Sequence, residues 1–183
     1  MLDLLGSRFI VIIKELVELD PQIESSIQEM LDLAYNGDFS SEDWGHASGG
    51  LYFVGYLEET IVAHGSVVPR EMLIDGRRLT VGYVEAVAVL PAYSGQGLGS
   101  LLMRRITEFC RENYALSMLS TDEKRFYERH GWRQFNGESF IAFEAEVVRS
   151  ADEDEGLMFL PSEKNEEVDI RRATCQARSG DSW

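Results

Sequence analysis

The sequence predicts a mixed α/β fold, one domain over residues 1–183, with a largely antiparallel set of strands and flanking helices. Three observations predict it. Short apolar runs alternate with stretches of helical periodicity along the chain. Two hairpins stand side by side in mid-chain, one around "EET" at 58–60 and one around Asp75-Gly76, a favoured tight-turn pair. A glycine-rich turn, "SGQGLGS" at 94–100, then joins an apolar strand directly to a helix.

Each element has its own reason. Phe9 to Ile13 reads as a first strand. Asp20 and Pro21 suit the N-cap and first position of a helix, whose apolar stripe is Ile23, Ile27, Met30, Leu31 and Ala34. "NGDFSSEDWGHASGG" (36–50) reads as a loop rich in glycine, serine and acid. Leu51–Leu57 pairs with Ile61–Val68, and Glu71–Ile74 with Leu79–Val89. Leu98, Leu101, Leu102, Ile106 and Phe109 mark an amphipathic helix, and Ala115–Leu119 a short strand. "STDEKRFYERHGW" is a helix with Ser120 or Thr121 as cap and Gly131 beyond its end. "LMFL" and Val168–Ala177 close a β-α-β-β-β-β-α-β-α-β order with further strands behind.

Composition excludes some classes of function. The 183 residues carry 32 acids against 17 bases, a formal net charge of −15, which disfavours nucleic acid or an anionic membrane as partner. A cationic partner is permitted. The start, "MLDLLGSRFIVIIKEL", reads as a strand and not as a signal peptide or a membrane span. Cys110 and Cys175 read as reduced thiols of a cytoplasmic protein. His46, His64 and His130 form no metal pattern with them, so no metal is expected.

The glycine turn carries the first chemical hint. Gly95, Gly97 and Gly99 let a backbone approach a ligand closely. The open N–H groups of a helix start attract anions, so the stretch Ser94, Gly95, Gln96, Gly97, Leu98, Gly99 and Ser100 suits a phosphate or a pyrophosphate. Its mid-chain place after antiparallel hairpins argues against a dinucleotide-binding unit. A tight strand-to-helix turn is the plainer alternative.

Two sets of residues carry a resemblance. "VEAVAVLPAYSGQGLGSLLM" followed by "RFYERHGW" resembles the GNAT acyl-CoA-dependent N-acetyltransferases. Gly97 and Gly99 stand in that superfamily's glycine places, while Ser94 stands where Arg or Gln is usual; Arg104 or Arg105 could replace the lost anchor. "GDFSSEDW", "GYVEAVAV", "FYERHGW", "EVDI" and "RSGDSW" are similar in the same order to the aminoglycoside 2'-N-acetyltransferases. "ASGGLY" (47–52) and a shortened 119–127 segment depart from that pattern beside the expected substrate pocket. A compact drug such as kasugamycin thereby becomes plausible.

The resemblance implies a splayed central strand pair, acetyl-CoA (coenzyme A) as cosubstrate, a homodimer, and a set of roles. Glu85, the lone charge between Tyr83 and Leu90, would be the amine-side base, acting through water. Tyr127 would protonate the leaving thiolate, a modestly uphill transfer from a phenol of pKa about 10 to a thiol of about 8.5. The backbones of Val87 and Val89 would hold the thioester carbonyl and the pantetheine arm. Asp38, Asp43, Trp44, Asp154, Glu155, Asp181 and the terminal Trp183 would join Glu85 in binding a cationic antibiotic. Trp44 could equally close the core, and the acidic run Asp152–Glu155 could be a solvated loop. The expected activity is acetylation of a 2'-amine, with antibiotic resistance as its result. The chemistry alone leaves two alternatives. One is another cationic amine, such as a polyamine or a peptide terminus. The other is a non-catalytic acyl-CoA-binding module, which the presence of both Glu85 and Tyr127 disfavours.

Overall fold

The computed structural model describes residues 10–165 and 168–183. The expected strand start at Phe9 lies outside them. The chain forms two compact units. The first combines the residues up to Val68 with Val84–Ile106; the second combines Pro69–Tyr83 with Thr107–Trp183.

In the first unit, β1 (Val11–Leu16) lies antiparallel to β2 (Leu51–Leu57), Val11 facing Leu57 and Leu16 facing Tyr52. The other edge of β2 pairs with the first part of β3 (Thr60–Ile74), with Val54 opposite His64 and an irregularity at Gly55/Tyr56. Helix α1 (Pro21–Ala34) starts as its sequence predicts: the Asp20 carboxylate accepts from the amides of Gln22 and Ile23 at 3.0 and 2.9 Å. Its buried stripe of Ile27, Met30 and Leu31 packs with Tyr52, Val54 and Ile61. Burying such side chains contributes roughly 1.5–3 kcal/mol each.

The expected loop at 36–50 contains a helix, α2 (Ser41–Ala47). Ser40 and Asp43 form a capping box, Ser40 Oγ accepting from the Asp43 amide at 3.1 Å and Asp43 Oδ2 from the Ser40 amide at 2.8 Å. This reciprocal cap offsets the poor helix propensity of the glycine and acids that followed it in the sequence.

In the second unit, the later part of β3 pairs with β10 (Arg172–Gln176), and β10 runs parallel to β7 (Glu138–Ala142). Strand β8 (Val147–Arg149) covers the outer edge of β7. Strand β4 (Arg77–Val89) pairs in parallel with β5 (Leu116–Ser120), Gly82 facing Ser117 and Tyr83 facing Met118. β5 pairs antiparallel with β9 (Leu157–Pro161), which also carries the short β6 (Arg133–Gln134). Tyr83, Met118, Phe135, Leu157 and Trp183 lie at the centre of this unit's core.

Strands β3 and β4 run through both units and are joined by Asp75-Gly76, both at positive φ (49° and 78°), as the tight hairpin turn requires. The two strands expected at 61–68 and 71–74 are one, β3 continuing through the exposed Pro69. Helix α3 (Leu98–Asn113) follows the glycine turn as expected. Helix α4 is short, Lys124–Glu128, and Ser120 and Thr121 do not cap it; Thr121 Oγ1 instead accepts from the Glu123 amide in the preceding turn. The strand expected over 168–177 forms only at Arg172–Gln176. Cys110 and Cys175 are buried free thiols.

Candidate functional site

Glu85 lies half-buried on β4, and the residue after it puts a kink into the strand. Ala86 has φ +50°, a left-handed conformation uncommon outside glycine and its few tolerant neighbours. Its carbonyl oxygen faces His64 Nδ1 at 2.9 Å. The next carbonyl, that of Val87, accepts from the Tyr35 hydroxyl at 3.3 Å. Burial of this hydroxyl end, then the carboxylates of Glu85 and Asp43, push the Tyr35 phenol up to about 12. The first unit thus brings Glu85 and Asp43 to one phenol. Val87 and Val89 are half-buried on the same stretch.

Asp43 also serves the α2 cap, which holds its carboxylate beside Ser40. Asp38 is exposed in the turn that leaves α1, its amide bonded to the Tyr35 carbonyl. Trp44 donates from Nε1 to Glu24 at 3.0 Å and stacks on Tyr52, ring centres 6.1 Å apart. Of its two expected roles, core closure is the one these contacts serve.

The glycine turn keeps its backbone open. Pro91–Tyr93 forms a single helical turn, and the Ser94 amide bonds back to Pro91. Gly95 and Gly97 take φ +71° and +84°, and a Cβ on either would meet nothing within 4 Å. The first helical bond of α3 runs from the Leu101 amide to the Gly97 carbonyl at 3.0 Å. The amides of Leu98, Gly99 and Ser100 precede it, in the place where a helix leaves donors unmatched. No acid occupies this first turn, and the Gln96 side chain folds back onto the Ala92 carbonyl. A diphosphate fits these properties. Arg105 is not a spare anchor: it pairs with Glu15 on β1 at 2.6 Å. Arg104 is exposed on α3.

In the second unit, Tyr127 is 8% exposed, edge-on to Phe126 and Trp132. Asp154 does not present a free carboxylate to a ligand. It pairs through both oxygens with Arg149 and accepts from the amide and hydroxyl of Ser139 at 2.8 and 2.6 Å. Desolvation pushes its pKa up, but the hydrogen bonds from Arg149 and Ser139 prevail and hold it below the usual carboxylate range. Glu155 is exposed and lies 3.7 Å from Lys124. Glu153, which the sequence did not single out, is raised by desolvation and then by Asp181 and Asp152, so it faces Asp181 electrostatically. The terminal "SGDSW" is not a frayed tail. Trp183 is 3% exposed within the core, its indole donating to Ser150 Oγ at 3.0 Å and its amide to Asp181 Oδ1 at 3.0 Å. Arg70 holds the Ser182 carbonyl at 2.7 Å.

The open turn before α3, the kinked strand ahead of it and the mixed sheet define an acyltransferase fold, and sequence comparison agrees. The profile of the Acetyltransferase (GNAT) family matches residues 13–132, and the chain belongs to this family. It is 35% identical over 171 residues to an aminoglycoside 2'-N-acetyltransferase of Mycolicibacterium fortuitum, covering 91% of this chain and 88% of that protein. The fold is similar to the GNAT family N-acetyltransferase YhbS of Escherichia coli, solved in complex with CoA (TM-score 0.72, 16% identity, 96% of each chain). A GNAT family acetyltransferase of Brucella melitensis, solved with acetyl-CoA, matches at TM-score 0.55 and 24% identity over 69% of this chain and 84% of its own.

Proposed function

We propose that this acetyltransferase moves the acetyl group of acetyl-CoA to the 2'-amino group of an aminoglycoside or aminocyclitol antibiotic, kasugamycin-like compounds included, and thereby inactivates the drug. The observation that carries the reading is Glu85 at the kink of β4, with its charge and that of Asp43 both felt at the Tyr35 phenol. A carboxylate on a half-buried strand is costly unless paired or used, and carboxylates suit a polycationic amine. The 35% identity to a 2'-N-acetyltransferase over nearly the whole chain supports the substrate class.

In this reading the diphosphate of acetyl-CoA lies on the 94–100 turn, and the main chain at Val87 and Val89 holds the acyl arm. The substrate ammonium gives its proton through water to Glu85. The freed nitrogen lone pair attacks the thioester carbonyl, an N–C bond forms, and the C–S bond breaks as the thiolate leaves. Tyr127 gives that sulfur a proton, and the second proton that the nitrogen loses as the amide forms passes through water to restore the phenol. Holding both reactants in attack geometry contributes about 7–11 kcal/mol. Asp38, Asp43 and Asp181 bind further ammonium groups, with Glu153 beside Asp181 taking the part first assigned to Asp154. Acetylation removes one positive charge from a drug that binds RNA phosphates.

The test is thiol release from acetyl-CoA by the purified protein against a panel: kasugamycin, a gentamicin-like drug, an aminoglycoside bearing a 2'-hydroxyl, a polyamine and a peptide amine. Turnover with 2'-amines and none with the 2'-hydroxyl compound is expected. Turnover with the polyamine or peptide alone would replace the substrate, and none at all would overturn the reading.

A further inference from the structure

His64 is fully buried on β3, beside the stacked rings of Trp44 and Tyr52, whose centres lie 6.1 and 6.2 Å from its own. Its Nδ1 is 2.9 Å from the carbonyl oxygen of Ala86. A carbonyl only accepts, so Nδ1 carries the ring proton and Nε2 carries the lone pair. That Nε2 is buried with no hydrogen-bond partner among the described residues. An unmatched buried polar atom is unfavourable, and a leucine would fill the same space without it. Packing alone therefore argues against histidine here, and one thing the imidazole does that an apolar side chain cannot is donate to Ala86.

Ala86 is the residue that needs the donor. Its left-handed φ of +50° turns its carbonyl away from regular strand pairing, and a strained residue of this kind persists only when its surroundings hold it. It sits between Glu85 and Val87, so its conformation sets where one carboxylate and one amide point.

We propose that His64 is a positioning residue: its Nδ1–H holds the Ala86 carbonyl in the kink of β4, and so aims the Glu85 carboxylate and the Val87 amide for acetyl transfer. The inference rests on the reading of this stretch of β4 as the reaction strand. Burial pushes the imidazole pKa down to about 4 against the opposing bond to Ala86, which keeps the ring neutral, with its single donor, at neutral pH.

The experiment compares wild type, His64→Leu and His64→Asn, because an asparagine amide nitrogen falls near the place of Nδ1. His64→Leu should still fold, its better packing set against the lost bond to Ala86, yet lose about 10-fold or more in kcat, with the KM for acetyl-CoA unchanged. His64→Asn should recover most of that kcat despite poorer packing. Leucine matching wild-type kcat, or asparagine faring no better than leucine, overturns the inference. Nitrogen NMR on the wild-type protein should show Nδ1 protonated and Nε2 bare; the opposite tautomer overturns it, even where a variant fails to fold. If wild type acetylates nothing in the amine panel, the proposed function falls separately. Amide exchange at Val87 then decides the role of His64. Faster exchange in His64→Leu, restored in His64→Asn, supports it; unchanged exchange overturns it.

Discussion

The Tyr35 hydroxyl donates to the main-chain oxygen of Val87, 52 positions later, and so ties the end of α1 to the strand that carries Glu85. Tyr35→Phe removes that tie and keeps the ring stacked on Phe39. The loss of one such hydrogen bond should cost about 0.5–1.5 kcal/mol of stability. The phenol has a pKa of about 12 in the folded chain against 10.0 ordinarily, so between these values the folded state holds the extra proton and stability falls as pH rises. Denaturant melts from pH 9 upward should show a shallower alkaline decline in the variant, roughly over the span between those two pKa values.

The buried imidazole acts at the other end of the scale. His64 has its pKa lowered from 6.5 to about 4, so in that window the unfolded chain binds more protons and stability falls as pH drops. His64→Leu should flatten the acid limb of a stability–pH curve between these values.

Glu85→Gln should lower kcat by about 10²–10⁴-fold, the range of a lost general base, with acetyl-CoA affinity unchanged by calorimetry. Equal losses in both quantities would make the carboxylate a structural group.

Gly97→Ala places a Cβ at φ +84°, where the chain meets no obstacle but L-residues are strained. A stability loss of about 1–2 kcal/mol is expected from the backbone alone. The added methyl also projects into the open side of the turn, so acetyl-CoA should bind more weakly by a larger factor than thermal melting predicts. Affinity falling only in step with stability would remove the diphosphate from this turn.

Asp154→Asn should destabilise the fold by removing the charge and the Oδ2 acceptor that pair with Arg149, and it should leave the substrate KM nearly unchanged in the folded fraction. Asp181→Asn should do the reverse in KM, provided the ammonium grip lies there. Steady-state kinetics alongside melting separates the two.

Local chemistry was legible in the sequence and long-range contact was not. The Asp20 cap, the Asp75-Gly76 turn and the glycine entry to α3 each depend on adjacent residues, and each formed as read. Helix α2 escaped because its signal is a serine–aspartate box with glycine at 45 inside a stretch of loop-forming residues. Tyr35 and His64 escaped for another reason: their partners lie 52 and 22 positions away, and neither hydrophobic period nor spacing encodes such a meeting. The acidic run at 152–155 was ambiguous because its members differ only in what they face. Arg149 and Ser139 claim Asp154, while Glu153 has its pKa raised by desolvation and then by the charges of Asp181 and Asp152. Trp183 reads in the sequence as a ligand for a cationic substrate, and its burial against Ser150 required the fold.

The turn before α3 offers main-chain amides at positive-φ glycines, with the Gln96 side chain folded back onto Ala92. Mutation can rewrite Ser94, Gln96 or Leu98 without erasing such amides, because every amino acid but proline supplies one. A ligand held by those amides therefore tolerates most side-chain changes in the turn, whereas a ligand held by a single carboxylate is lost with one substitution.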